Sequence, residues 1–172
     1  MTGGDGETKI LIMQRTYILV ILFLSVNSVI FSLNAQIYVS GPGVHLGNPI
    51  GVTWKYFFTE RDAVEGMLAT SWRGYSLTGM YQLHFSFADP KLRNTHWYAG
   101  AGAYAGRWDS NAPFYDGPEA ITTFGANLVS GIESTFGDYP FTFGLNWIPA
   151  VNITGHFGLN IFQVGITGRY IF

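Results

Sequence analysis

The sequence predicts an all-β fold: a closed antiparallel up-and-down transmembrane β-barrel of about eight strands, preceded by a cleaved signal peptide. Three observations support this prediction. An apolar stretch follows basic residues near the N-terminus, apolar and polar residues alternate along most of the remaining chain, and the alternating segments are long and rich in aromatic residues. The chain has no cysteine, so the fold contains no disulfide and no thiolate metal site.

Residues 1–35 have the arrangement of a secretory signal peptide. The apolar stretch at residues 17–31 follows Arg15 and is interrupted by serine and asparagine, which makes it short for a membrane-spanning helix. Cleavage is predicted after Ala35, a small residue. Acidic residues near the first methionine do not suit a leader, so Met13 is an alternative start. An uncleaved anchor helix is the alternative interpretation of the whole segment.

The mature chain, residues 36–172, is predicted to form one barrel domain in which apolar and polar residues alternate with a period of two. In residues 75–87 the odd positions are aromatic, aliphatic or glycine, whereas the even positions are mainly polar. Pro149 marks a bulge or an end in the seventh strand. The orientation of residues 97–108 stays open because small residues occupy both faces. The predicted strands are residues 37–46, 50–58, 63–72, 75–87, 96–108, 121–136, 141–154 and 161–172.

The length and aromatic content of these strands indicate that the apolar face lies outside. Several segments run for ten residues or more, close to the ~9–11 that a tilted strand needs to cross a bilayer, whereas soluble strands cluster near ~5–6. Tyrosine, phenylalanine and tryptophan line the apolar faces near the strand ends, as in an interfacial aromatic girdle. The charged residues of the predicted barrel fall on polar faces or in turns, with one exception. The exception is Arg107, close to a strand end, whose face is not assigned.

The chain ends in GRYIF, with the aromatic residues Tyr170 and Phe172 two positions apart and Gly168 before them. With the leader and the alternation, this ending resembles that of the small eight-stranded outer-membrane β-barrel proteins of diderm bacteria, and the resemblance covers residues 36–172. It implies that Gly168, Tyr170 and Phe172 act as an assembly signal for the outer-membrane assembly machinery. It also implies an outer-membrane location, both termini in the periplasm, and a surround of outer-membrane lipid and lipopolysaccharide.

Five ionisable residues are predicted to share one layer inside the barrel. They lie near the periplasmic ends of their strands on the polar faces: Lys55, Glu65, His84, Glu133 and Arg169. Opposite charges in a narrow lumen should pair, because an unpartnered buried charge costs several kcal/mol. We interpret this cluster as a structural plug that holds strand tilt and register, with a proton or ion path as the alternative. Neutral polar residues extend the filling: Gln82, Asn127, Asn146 and Gln163.

The sequence does not single out one function. A net charge of -2 argues against a nucleic-acid partner, the four histidines lack metal-ligand spacing, and no cofactor motif is present. His84 and Ser86 could supply a base and a nucleophile, but no acidic residue is set beside them, so a lipid-modifying enzyme is the least favoured class and no catalytic residue is assigned. A structural or interaction barrel, with an envelope protein as a candidate partner, is favoured. A carrier or narrow pore for small or apolar solutes is the alternative.

Overall fold

The alternating segments form β-strands in the computed structural model, which describes residues 39–71, 73–110, 112, 117–136, 139–155 and 157–172. The predicted signal peptide, residues 1–35, lies outside the described residues. The described residues form ten strands and one short 3-10 helix. These elements are β1 Ser40–Gly47, β2 Ile50–Phe57, β3 Asp62–Ser71, β4 Gly74–Ser86, the helix Pro90–Leu92, β5 Thr95–Trp108, β6 Ile121–Thr135, β7 Phe141–Trp147, β8 Ala150–Thr154, β9 Gly158–Asn160 and β10 Val164–Tyr170.

The ten strands of the described residues occupy eight positions of a closed antiparallel barrel. β1 to β6 pair in chain order, β6 pairs with both β7 and β8, β7 pairs with β10, and β10 pairs with β1. β8 continues the line of β7 along β6, so β7 and β8 share one position. β9 pairs with β8 as β10 pairs with β7, so β9 and β10 share the next position. The predicted eight-stranded antiparallel barrel is therefore confirmed.

Pro149 separates β7 from β8. Proline has no N–H to donate to a sheet, so it often marks a strand end or a bulge. Its carbonyl still accepts a hydrogen bond from the N–H of Leu128 at 2.9 Å, and the N–H of Ile148 donates to the carbonyl of Gln163 at 2.8 Å. The neighbouring position is also interrupted, at residues 161–163 between β9 and β10. The prediction of a bulge or an end at Pro149 is confirmed, and the break extends into the adjacent position.

The two ends of the barrel differ. At one end, which we call the terminal end, the first and last strands meet, and the backbone groups of Ser40 and Phe172 exchange two hydrogen bonds. We call the other end the distal end. The connection at residues 87–94 belongs to the terminal end and contains the 3-10 helix, where Asp89 caps the first turn by accepting a hydrogen bond from the N–H of Lys91 at 2.9 Å. None of the described residues forms a helix long and apolar enough to cross a membrane.

The barrel carries its apolar side chains outside and its polar side chains inside. On β4, for example, Leu77 is 62% exposed, whereas Ser76 and Thr78 beside it are buried. Exposed apolar residues on the other strands include Val44, Val52, Leu68, Leu128, Leu145 and Ile166. Buried polar residues include Thr53, Lys55, Glu65, Gln82, Glu133, Thr142, Asn146 and Arg169. The faces assigned from the alternation are those that the structure shows.

The orientation of β5, which the sequence left open, is resolved by the structure. Tyr98 and Trp108 are buried in the lumen, and the glycines between them share their face. The alanines of this strand face outward. Arg107 is exposed on the outer face at the distal end of the strand. A long basic side chain at that place can extend towards water along the wall.

A glycine on β6 makes room for an inward tyrosine. A Cβ added at Gly131 would lie 2.6 Å from the ring of Tyr98 and 2.6 Å from the carbonyl oxygen of Leu145. We expect Gly131→Ala to lower the free energy of unfolding by about 1–3 kcal/mol, because neither the buried ring nor the sheet backbone has space to move away. Urea unfolding followed by tryptophan fluorescence measures this effect. The matched control is Gly79→Ala on the outer face, where an added Cβ meets nothing within 4 Å and the expected change is within about 0.5 kcal/mol; equal losses in both variants would contradict the prediction.

Candidate functional site

Five strands bring the predicted ionisable residues together inside the barrel. Lys55 lies on β2, Glu65 on β3, His84 on β4, Glu133 on β6 and Arg169 on β10, each at an inward position of the alternation. All five residues are at most 4% exposed. Lys55 and Glu65 are direct cross-strand partners. β2 and β6 lie opposite each other in the ring of eight positions, so Glu133 approaches Lys55 from the far wall.

Two cations and two carboxylates form the charged network. Lys55 Nζ lies 2.9 Å from Glu133 Oε2 and 3.6 Å from Glu65 Oε2. Arg169 Nη2 lies 2.5 Å from Glu65 Oε1, and its Nη1 lies 3.3 Å from Glu133 Oε2. Each cation therefore contacts both carboxylates, and the four formal charges cancel. The contact between Lys55 and Glu133 spans the lumen.

Neutral side chains add hydrogen bonds to the charged network. Gln82 Nε2 donates to Glu65 Oε2 at 2.8 Å. The hydroxyl of Thr53 accepts a hydrogen bond from Arg169 Nη2 at 3.3 Å. His84 Nε2 lies 3.3 Å from the side-chain oxygen of Gln82. These contacts matter because buried charges are tolerated only where their remaining donors and acceptors are also used.

Aromatic rings pack against the charged network on two sides. Lys55 Nζ lies 4.3 Å from the ring centroid of Tyr98, a cation–π contact, and the same ring stacks on His84 with centroids 4.8 Å apart. Phe57 meets His84 edge-on at 4.6 Å, and His84 Nδ1 lies 3.7 Å from Glu133 Oε1. No sequence pattern placed Tyr98 in the network. The signal that could have placed it is the alternation of aromatic residues with glycine on β5, because glycines on an inner face leave room for rings.

The charged network can hold the walls of the barrel in one arrangement. The interior of an eight-stranded barrel is just wide enough for side chains to fill, and the side chains of the network are all buried at its level. The lumen is therefore occupied there by protein atoms. Because its contacts join strands that are not neighbours in the sheet, the network also connects the walls beyond what backbone hydrogen bonds do.

The other candidate residues lie at several places in the barrel, and one of them, His96, is the cross-strand partner of Glu133. His45 Nε2 lies 2.9 Å from Asn146 Oδ1, and its Nδ1 lies 2.6 Å from a carbonyl oxygen of the β1–β2 connection. His96 is buried on β5, Ser86 is half-buried at the terminal end of β4, and His156 lies outside the described residues. Within the described part of the chain, no group of three or more histidine or acidic side chains is arranged to hold a metal ion.

The three residues of the predicted assembly signal share one outer surface at the terminal end. The ring centroid of Tyr170 lies 5.6 Å from that of Phe141 and 6.2 Å from that of Phe172. Phe172 in turn meets Trp54 of β2 at 6.1 Å. Gly168 lies on the same face of β10, which pairs with β1 and β7. The aromatic end of the chain therefore covers the seam where the last strand joins the first.

A cavity of about 330 Å³, which we call the distal cavity, occupies the lumen on the distal side of the charged network. A cluster of buried apolar residues borders the cavity and includes Met80, Tyr98 and Val129. Two further members of this cluster, Met67 and Ile148, also line the cavity. None of the described residues that line the cavity is charged. The remaining lining residues include Ser76, Thr78, Tyr104, Trp108, Asn127, Asn152, Leu159 and Phe162.

We expect replacement of Glu133 or Arg169 by leucine to lower the unfolding temperature of the barrel. Each change leaves uncompensated buried charge and costs about 3–5 kcal/mol. Thermal unfolding followed by circular dichroism measures the effect. The control is Glu60→Leu in the exposed β2–β3 connection, which should change stability by no more than about 0.5 kcal/mol. Unchanged stability in both network variants would refute the structural plug.

Comparison with known proteins identifies no relative of this chain. No protein-family model, no curated protein and no solved structure matches it. Its function is therefore inferred from its own residues and their geometry.

Proposed function

We propose that the protein is an integral barrel of a bacterial outer membrane with a structural or interaction role and a lumen filled by side chains. The observation that carries this proposal is the distribution of side chains across the wall: large apolar residues are exposed outside, while lysine, arginine and glutamate are buried inside. In water, exposed apolar surface and buried charge both cost free energy. In a bilayer, the outer face contacts acyl chains and the lumen takes the polar groups.

The outer apolar residues adjoin one another across the strands. Val44, Val52, Leu68 and Leu77 are successive cross-strand partners on four neighbouring strands, and all four are exposed. Soluble monomers rarely expose apolar patches larger than a few hundred Å². Exposed aromatic residues collect near the terminal end, where an interfacial girdle would lie; they are Tyr56, Phe58, Phe136, Phe141, Tyr170 and Phe172. This belt supports contact with lipid around the barrel.

Features at both ends of the chain support an outer-membrane location. The predicted signal peptide at residues 1–35 would direct export, and the ending with Gly168, Tyr170 and Phe172 matches the assembly signal of the family that the sequence resembles. The proposed surroundings are outer-membrane lipid and lipopolysaccharide, with the assembly machinery as a partner during insertion. An envelope protein that contacts the wall or the loops is the proposed partner for an interaction role.

The charged network favours a structural role over conduction. A pore needs a continuous path for solvent or ions, and the contact between Lys55 and Glu133 crosses the lumen at a level where the network side chains are buried. We propose no catalytic role. His84 is stacked on Tyr98 and lies beside Gln82, so its contacts belong to the charged network.

A charge placed on the middle of the outer wall distinguishes a membrane barrel from a soluble one. Leu128 is 61% exposed near the centre of β6. We expect Leu128→Arg to lower the free energy of unfolding in phospholipid vesicles by about 2–4 kcal/mol, because arginine at the bilayer midplane is costly. The control is Tyr139→Arg in the exposed β6–β7 connection, with an expected change of about 0–1 kcal/mol. Urea titration of vesicle-inserted protein measures both, and a stable, detergent-free soluble Leu128→Arg barrel would contradict the proposal.

We expect no steady channels when the purified barrel is inserted into planar lipid bilayers. The charged network fills the lumen at one level, so ions have no open path. Single-channel recording tests this, with a general porin inserted in the same bilayer as the positive control. Reproducible conductance steps from the barrel would instead favour the carrier or narrow-pore alternative.

A further inference from the structure

Asn127 is a buried amide to which the described part of the chain gives no hydrogen-bond partner. It lies on β6 among the residues that line the distal cavity, and it is only 4% exposed. Neither its Oδ1 nor its Nδ2 has a hydrogen-bond partner among the described residues. An unpaired buried amide destabilises a protein relative to an apolar residue of similar size. Asn127 therefore adds nothing to stability that a leucine could not provide.

Three other buried or half-buried amides of the lumen have a side-chain partner. Asn146 Oδ1 lies 2.9 Å from His45 Nε2. Asn152, which also lines the distal cavity, accepts a hydrogen bond from the hydroxyl of Tyr104. Gln82 donates to a carboxylate of the charged network. Asn127 differs from these amides because neither its NH₂ group nor its carbonyl oxygen has a partner among the described residues, so donors and an acceptor lie side by side at the cavity wall.

The lining of the distal cavity suits an uncharged and largely apolar molecule. Its volume of about 330 Å³ lies near the lower end of the ~300–1,000 Å³ that small-molecule sites occupy. The rings of Tyr104 and Trp108 and the side chains of Met67, Ile148 and Leu159 supply apolar surface. None of the described lining residues could neutralise a ligand charge. A charged ligand would therefore lose its hydration without gaining a counter-ion.

The wall beside the distal cavity is incomplete. The register of β1 and β10 ends at Gly47 and Gly165, followed by one hydrogen bond from the N–H of Asn48 to the carbonyl of Val164 at 3.1 Å, and among the described residues β9 pairs only with β8. Leu159 on β9 and Phe162 after it line the cavity and are 70% and 80% exposed. Residues that line a cavity and also face outward mark a place where a ligand can enter. The break in the strands thus gives the cavity an entrance.

We propose that the distal cavity binds a small uncharged molecule that has a largely apolar body and one group, an amide or a hydroxyl, that both donates and accepts hydrogen bonds. That group pairs with the Nδ2 and Oδ1 of Asn127, and the apolar body packs against Tyr104 and Trp108. This site goes beyond the proposed structural role, and it does not depend on it, because the cavity lies inside the barrel wherever the barrel is located.

Titration with naphthalene-2-carboxamide tests the proposed site. The folded barrel is kept in the medium in which it is stable, and the side-chain NH₂ resonances of Asn127 are followed by NMR. These resonances are assigned by their loss in Asn127→Leu. They should shift saturably with the amide, and 2-naphthoate, which has the same ring system and a negative charge, should bind at least about tenfold more weakly. No saturable shift, or equal affinity for the carboxylate, would overturn the proposal.

Two variants separate a binding role of Asn127 from a structural one. Asn127→Leu should weaken binding of naphthalene-2-carboxamide by about tenfold or more, because two hydrogen bonds are lost, while its unfolding temperature stays equal to that of the wild type or rises. The matched control is Asn146→Leu, which removes an amide of similar burial whose partner is known and should lower the unfolding temperature. Unchanged binding in Asn127→Leu, or a loss of stability like that of Asn146→Leu, would overturn the proposal.

A third variant tests the cavity itself. Ala150→Phe places a ring in the lumen at a buried position that lines the cavity and pairs with Asn127 in the sheet. It should abolish binding of naphthalene-2-carboxamide while the side-chain resonances of Asn127 remain in the spectrum. Undiminished binding in this variant would show that the probe is held elsewhere and would overturn the proposal.

Discussion

The charged network across the lumen is the interaction on which the proposed structural role of the barrel depends. The alternation of apolar and polar residues specifies the faces of each strand, but it specifies register only in part. A slip of one residue exchanges the faces, whereas a slip of two residues preserves them. Because Lys55 and Arg169 each contact both Glu65 and Glu133, a slip of two residues in any of their strands would break these contacts. In the structural role that we propose, the network selects one register among those that the alternation allows.

This role differs from a simple gain in stability. Taking four charged groups out of water costs free energy that their mutual attraction offsets only with good geometry and completed hydrogen bonds, and well-packed apolar residues often serve stability as well or better. The contacts of Gln82 and Thr53 supply two of these hydrogen bonds here. Removal of one member, by contrast, leaves an uncompensated charge. The arrangement therefore penalises wrong pairings more strongly than it rewards the right one, which is the behaviour expected of a device that fixes register.

Much of this structure could be predicted from local sequence patterns. The remainder depends on distances between side chains of different strands, which local patterns do not specify. A period of two identifies the inward side of a strand, and the distance from the strand end gives the level along the barrel. Together they allowed five scattered residues, from Lys55 to Arg169, to be assigned to one layer. Proline chemistry identified the break at Pro149. The orientation of Tyr98 was left open because small residues occupy both faces of residues 97–108, and only the alternation of aromatic residues with glycine could have indicated it. The distal cavity was not predictable either, since it is the space left after side chains from several strands have packed.

The lumen is divided into the level of the charged network and the distal half that contains the cavity, and this division is consistent with the local irregularity of the distal half. Its distal half combines an unpaired amide at Asn127 with interrupted strands at Pro149 and at residues 161–163. Departures from local rules of this kind persist where the surrounding structure over-determines the fold, and in natural proteins they concentrate at functional sites. The same departures at the level of the charged network would remove the contacts that select the register. The network already joins β2, β3, β6 and β10. In the proposed structural role, the distal half therefore need not select the register, and its side chains can be arranged for binding.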